Sequence, residues 1–197
     1  ALPISNGLPD KNHELMIGII ASNQQFPSVH DYLFEINIKP EYTEDVTMTE
    51  AGAIGVAVNG VPLFDPSTQG PKKGSTGKPS HALDVGELDN CGGHAGRGDD
   101  YHYHIAPLHL QKVVGQGKPI AYALDGYPLR GLTEVDGTAP KNLDALKGHS
   151  HGTLGYHYHA TKTYPYINGG FRGQVTQRDG QVDPQPRAQP VRPALPP

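Results

Sequence analysis

A duplicated motif is the feature of this sequence that most restricts its fold. LDNCGGH at residues 88–94 aligns with LDALKGH at 143–149, and YHYH at 101–104 aligns with YHYH at 156–159. The offset is 55 residues in both cases. Self-similarity at a fixed offset is typical of a structural unit that occurs twice. We therefore expect each copy to build the same local structure.

An alternating apolar run precedes each copy of this motif. The runs are GVAVNGVPL at 55–63 and AYALDGYPL at 121–129, and they are interrupted by Asn59-Gly60 and Asp125-Gly126. Such dipeptides favour the type I′ turn, which needs a positive φ at both central positions, so each run predicts a β-hairpin. Each half then has the order hairpin, Leu-Asp, Gly-His and YHYH strand, which predicts a core with pseudo-twofold duplication.

Composition favours short strands over helices. The 197 residues include 25 glycines and 19 prolines, and strong helix formers are not concentrated in any long run. Residues 108–114 and 142–147 could each form one helical turn, and residues 30–40 alternate like a strand with one buried face. We predict a mainly β, compact antiparallel domain with few short helices.

Charge and hydropathy exclude two classes of partner. The formal net charge is −4, and the lysines and arginines are scattered, so the sequence lacks the basic surface that nucleic-acid binding requires. No stretch approaches 18 consecutive apolar residues, so we predict no membrane span.

Six of the 11 histidines occupy equivalent positions in the two copies. They follow the pattern H-x7-H-x-H and are His94, His102, His104, His149, His157 and His159. Residues two apart in a strand share a face, so the two histidines of each YHYH lie side by side while the tyrosines face the other way. The histidine of the preceding Gly-His can complete a three-histidine set.

Histidine ligands without cysteine or methionine favour Cu(II) or Zn(II) over Cu(I), calcium or magnesium. The six histidines are consistent with two metal sites or with one merged site at the pseudo-twofold axis. His151 is close enough to His149 to replace it as a ligand. Cys91 is interpreted as a small buried residue, although its thiolate would also suit zinc or copper.

Asp89 and Asp144 each lie five residues before the first histidine of a triplet. A metal-bound histidine usually donates its other ring N–H to a carboxylate or a carbonyl, so these aspartates are candidate partners of the rings in a second shell. A turn capped by the aspartate side chain explains the position equally well.

Two interpretations without a metal remain open. The histidines and tyrosines could form a purely structural ladder of cross-strand pairs. Alternatively, tyrosine beside histidine could serve as acid and base in an extracellular lyase or hydrolase that acts on a polysaccharide, with Tyr103 and Tyr158 as weak candidates for catalysis.

Five segments together resemble the YHYH domain family, which is named for the motif: GVAVNGVPLF, LDNCGGH, DDYHYH, YALDGYPLRG and GYHYHATKTYPYINGGFRG. The resemblance runs from about residue 5 to about 173. It implies an exported protein, secreted or periplasmic, and carries over no catalytic residues. The start at Ala1 is also what signal-peptide cleavage would leave.

The resemblance and the repeats define the expected domain organisation. A YHYH domain spans residues 1–173, and residues 174–197 form a proline-rich tail that we predict to be disordered. Within the domain, an N-terminal segment with a strand covers 1–53, and the repeats cover about 54–107 and about 120–173. The predicted function is metal binding, with the metal ion as partner, a glycan or small molecule as a possible substrate, and no predicted oligomeric state.

Overall fold

The structure, a computed structural model, describes most of the chain. The described residues are 6–9, 14–22, 26–30, 32, 34, 36–49, 52–67, 80–96, 98–178 and 181–182. The predicted mainly β fold is confirmed. The strands are β1 (Tyr42–Met48), β2 (Ala53–Ala57), β3 (Pro62–Phe64), β4 (Gly93–His94), β5 (His102–Tyr103), β6 (Ala121–Ala123), β7 (Pro128–Arg130), β8 (Gly148–Ser150), β9 (Tyr156–His159), β10 (Gly170–Gly173), β11 (Gln177–Arg178) and β12 (Gln181–Val182).

Eight of these strands form one sheet in the order β4-β5-β3-β2-β6-β7-β9-β8. Strands β2 and β6 are antiparallel neighbours at the centre, and each also pairs with its hairpin partner, β3 or β7. Outside the hairpins, β5 runs parallel to β3, and β9 runs parallel to β7. Strands β4 and β8 form the two edges. Corresponding strands of the two halves therefore lie at mirrored positions.

The parallel pairs correct the expectation of a purely antiparallel sheet. Antiparallel strands can be joined by a tight turn, whereas parallel strands need a long connection. Strand β5 follows β3 only after residues 65–101, and β9 follows β7 after residues 131–155. These long connections allow each YHYH strand to run parallel to the second strand of its hairpin.

Both predicted hairpins are confirmed, but their turn differs from type I′. Gly60 N–H donates to the carbonyl of Ala57, and Gly126 N–H donates to that of Ala123. Only the glycines have a positive φ, of 85° and 91°, whereas Asn59 and Asp125 do not. The loops thus resemble a type I turn followed by a glycine in the left-handed region.

The core lies against the tyrosine side of the YHYH strands. Tyr101, Tyr103 and Tyr158 are completely buried, together with residues of both hairpins such as Leu63 and Leu129. This placement is what the alternation of the YHYH sequence predicts. The tyrosines therefore account for much of the buried aromatic area.

The N-terminal segment departs from its prediction. The described residues between 30 and 40 form no strand beyond a single bridge at Tyr32. Tyr32 and Phe34 are buried as the alternation predicted, but Ile38, on the same predicted face, is 88% exposed, so the buried face does not extend through the segment. The regular strand is β1, which pairs antiparallel with β10. Tyr32 and Phe34 form a small separate cluster with Ala53 and Val56.

Helices are few and short, as predicted. A 3₁₀ helix at Leu108–Leu110 continues into α1 (Gln111–Val114), and a second 3₁₀ helix spans Gly152–Leu154. The predicted helical turn at 142–147 is a non-helical turn. None of the helices in the described part of the chain is long and apolar enough to cross a bilayer.

Strands β11 and β12 pair antiparallel inside the region predicted as a tail. Residues 183–197 lie outside the described residues, so the predicted disorder of the tail and the domain boundaries remain predictions.

Candidate metal centres

The six repeated histidines meet as two separate groups. His94 on β4 is directly opposite His102 on β5, and His149 on β8 is directly opposite His157 on β9. The third histidine of each group ends its YHYH motif, two residues further on. Four strands lie between β5 and β9 in the sheet, so each triplet forms a cluster of its own.

The first cluster consists of three buried histidines: His94, His102 and His104. Nε2 of His104 lies 3.1 Å from Nε2 of His102 and 3.0 Å from Nε2 of His94. The ring of Phe64 stacks on that of His102, with ring centroids 4.0 Å apart. Three ring nitrogens therefore converge on one point beside an apolar wall.

The second cluster contains Glu134 in addition to His149, His157 and His159. Nε2 of His157 and Nε2 of His159 are 3.2 Å apart. Oε1 of Glu134 lies 3.0 Å from Nε2 of His149 and 3.3 Å from Nε2 of His159. Glu134 is only 3% exposed, so its carboxylate is directed into the cluster and away from solvent.

Backbone carbonyls fix the orientation of the rings. The contacts from Nδ1 are His102 to Asp100 (2.7 Å), His104 to Asp65 (2.5 Å), His149 to Lys141 (2.7 Å), His157 to Gly155 (2.9 Å) and His159 to Gly131 (2.8 Å). A carbonyl only accepts hydrogen bonds, so Nδ1 carries the proton in each ring. In a neutral ring, Nε2 is then unprotonated and carries a free lone pair.

Burial favours the neutral form of three of the rings. Burial, together with a smaller contribution from the neighbouring His102, lowers the pKa of His94 to about 4. Burial also lowers the pKa of His157 to about 4 and that of His104 well below its usual value. At neutral pH these three rings present lone pairs, which is the form that binds metal ions.

Asp89 and Asp144 occupy the turns that precede the first histidine of each triplet. Oδ1 of Asp89 accepts the N–H groups of Cys91 and Gly93, and Oδ1 of Asp144 makes the equivalent contacts in the second copy. Oδ2 accepts the hydroxyl of Tyr101 in one copy and of Tyr156 in the other, at 2.7 and 2.8 Å. These contacts fit the alternative of a turn capped by the aspartate side chain, and the second-shell role of the two aspartates stays a prediction.

Tyr103 and Tyr158 lie in the core, with both side chains 0% exposed. Asn59 donates to the hydroxyl of Tyr103 at 3.1 Å, and the hydroxyl of Tyr158 donates to Asp125 at 2.5 Å. Burial raises the pKa of Tyr158 far above its usual value, so its hydroxyl stays protonated. These contacts join each hairpin turn to its YHYH strand and leave neither hydroxyl accessible to a substrate.

Glu134 was missed by the sequence analysis. It lies in the loop after β7, and the corresponding position of the first copy is Thr68, so the repeat gave no signal for it. Its 15-residue separation from His149 also exceeds any local ligand spacing. His151, an alternative ligand in the sequence analysis, contacts Oε2 of Glu134 at 3.1 Å, and Cys91 belongs to neither cluster.

A cleft of about 720 Å³ opens beside the second cluster. Two cluster residues, Glu134 and His149, line it together with the neighbouring His151. The other walls include Tyr42, Asp136, Thr138, Lys141, Asn142, Asp144, Ser150, Tyr156 and Arg172. This volume is within the range of small-molecule sites.

These features define a β-rich protein with two histidine clusters that could each hold a metal ion. The family model described as "YHYH protein" matches residues 33–141, more than half of the chain. The chain therefore belongs to the YHYH family, as the resemblance indicated. The matched segment contains the first cluster and Glu134, whereas the second YHYH motif lies beyond it. Neither the curated proteins nor the solved structures gave a significant match.

Proposed function

We propose that this protein binds two transition-metal ions, Cu(II) or Zn(II), one in each histidine cluster. The observation that carries the proposal is the convergence of Nε2 lone pairs in rings whose Nδ1 protons are bonded to carbonyls. The facing Nε2 lone pairs of His102 and His104, 3.1 Å apart, and of His157 and His159, 3.2 Å apart, repel each other unless a cation lies between them.

The spacing of the ligand atoms supports a metal as that cation. A tetrahedral zinc ion with Zn–N bonds of about 2.0–2.1 Å holds its ligand atoms roughly 3.3 Å apart. Three distances in the second cluster, from 3.0 to 3.3 Å, are close to this value, and Nε2 of His157 lies 3.9 Å from Oε2 of Glu134. Three histidines and one carboxylate would supply four ligands there, whereas the first cluster supplies three.

The arrangement of the two halves supports a pseudo-twofold duplicated module. In both halves, the hairpin turn bonds the second tyrosine of YHYH, and the Leu-Asp aspartate bonds the first. The last histidine of each motif donates to the residue that follows the hairpin, Asp65 or Gly131. Each residue of the YHYH motif would then have one role. The tyrosines bond the turns, and the histidines bind the metal ion.

Elemental analysis of metal-replete protein without a histidine tag tests the proposal. We expect about two ions per chain. His102→Gln and His157→Gln should each remove one ion, and His30→Gln is the matched control, because His30 lies outside both clusters and contacts Asp99. A wild-type protein that binds no transition metal would refute the proposal.

Metal-free catalysis by histidine and tyrosine is the weaker candidate function, because the Tyr103 and Tyr158 hydroxyls are buried and already bonded. The cleft favours an enzyme that uses the second metal ion, as a lyase or hydrolase acting on an extracellular glycan. A secreted or periplasmic location belongs to the same proposal, as the family resemblance implies.

A further inference from the structure

We propose that the cleft beside the second cluster binds a hydroxylated carboxylate of the uronic-acid class, with its carboxylate group next to the metal ion. This inference rests on the proposed function, since it requires an ion in the second cluster. It adds a ligand class and a difference in role between the two clusters.

The cleft reaches the second cluster from one side. His149 and Glu134 line it, whereas His157 and His159 lie behind them and are 0% exposed. Among the described residues, the cleft therefore gives an open approach to an ion held by these four side chains. A fifth ligand from solution would have to enter there, and zinc sites can expand to five ligands.

Charge selects an anion for this position. The cleft is lined by three carboxylates and two cationic side chains, so its walls carry a formal charge of −1. A divalent ion changes this charge to +1. Of the carboxylates, Asp144 is already paired with Arg172 at 3.2 Å, and Glu134 is directed at the histidines. An anion should consequently bind only after the metal has bound.

The walls also suit a sugar ring. Tyr42 is 60% exposed, and the Arg172 guanidinium lies over its ring at 5.5 Å from the centre, so an exposed aromatic side chain and a fixed cation form one wall. Thr138, Asn142 and Ser150 add hydroxyl and amide groups that can bond ring hydroxyls. An apolar face, hydroxyl partners and cationic charge together match a hydroxylated carboxylate better than an apolar acid.

The described surroundings of the first cluster differ from this arrangement. The cleft is lined by none of its three histidines, and Phe64 covers His102. We therefore assign a structural role to the first ion and a ligand-binding role to the second.

Calorimetry on zinc-loaded protein, freed of excess zinc, tests the inference with glucuronate as the probe. Metal content is measured first, so that the occupancy of the second cluster is known. We expect glucuronate to bind at least about tenfold more tightly than glucose, which has the same ring without the carboxylate. Acetate, which has the charge without the ring, should also bind more weakly. Chelation of the metal should abolish glucuronate binding.

Lys141→Met should weaken glucuronate binding about 2- to 5-fold without loss of metal, as expected for one partly solvated charge. Lys112→Met, a change in α1 outside the cleft, is the matched control. Metal-loaded protein that does not bind glucuronate, or that binds glucose or acetate equally well, overturns this inference alone. A second cluster that takes up no ion overturns the proposed function.

Discussion

The hydroxyl of Tyr158 donates to Oδ2 of Asp125 at 2.5 Å, and both residues are 0% exposed. The same carboxylate oxygen accepts the N–H of Gly173, and the hydroxyl accepts the N–H of Arg172. One buried pair therefore ties the second hairpin turn, the second YHYH strand and β10 together.

Tyr158→Phe should lower the free energy of unfolding by about 1–3 kcal/mol, because it leaves buried polar groups without a partner. Chemical denaturation measures this loss. Metal content should not change, since the hydroxyl faces away from the histidines. Tyr122→Phe, at a partly exposed position on β6, should have little effect. Loss of metal without loss of stability would contradict this assignment.

Glu134→Gln should weaken metal binding at the second cluster alone. The amide keeps the shape of the side chain but removes the charge that faces His149. We expect more than the 10- to 100-fold loss of affinity that is typical when an outer partner is removed. Competition with a chromophoric chelator measures both sites. Asp136→Asn, in the same loop and cleft, should leave the affinities within about twofold, and an equal loss there would point to general electrostatics.

The residue before each Gly-His glycine has a positive φ, which is 90° at Gly92 and 66° at Lys147. A Cβ at Gly92 would lie 2.4 Å from the side chain of Ile105. Gly92→Ala should therefore destabilise the protein by roughly 1–2 kcal/mol or more. Lys147→Gly should cost nothing or stabilise the protein by up to about 1 kcal/mol. Thermal unfolding measures both, and equal destabilisation by the two changes would contradict the argument.

The metal-free protein should lose stability in mild acid. The pKa of His94 and that of His157 are about 4 in the folded protein because both rings are buried. In the unfolded chain both are about 6.5. Protons thus bind the unfolded chain first, and the free energy of unfolding should fall as the pH falls from about 6.5 to about 4. Above about pH 6.5 both rings are neutral in the folded and the unfolded state, so they add no pH dependence to the free energy of unfolding.

Denaturation of chelated protein across this pH range checks the expectation. His94→Gln should make the dependence shallower, whereas His30→Gln should leave it unchanged if the buried histidines are responsible. A wild-type curve that is flat between pH 4 and 6.5 would rule out this linkage.

The local sequence pattern was sufficient to predict the hairpins and to predict which side chains of each YHYH strand face the core. Asn59-Gly60 and Asp125-Gly126 locate the turns, and the period of two separates buried tyrosines from histidines. The duplicated spacing also identified the six histidines that the structure brings into two groups.

The remaining features depend on contacts that are distant in sequence. Asn59 and Asp125 contact tyrosines more than 30 residues away through their side chains, which the local dipeptide pattern does not specify. Glu134 lies in a loop, and the corresponding position in the first half is a threonine, so the repeat did not predict it as a ligand. The parallel pairing of β5 with β3 follows from the long connection between them, which no short-range pattern encodes.

The two clusters sit at opposite edges of the eight-stranded sheet, and β4 and β8 each contribute one histidine. An edge strand exposes unpaired backbone groups on which other chains can assemble. A bound ion would cross-link each short edge strand to its inner neighbour and so prevent fraying at both ends. Under the proposed function, chains that fold in metal-poor medium should therefore self-associate, and light scattering before and after zinc addition would reveal it.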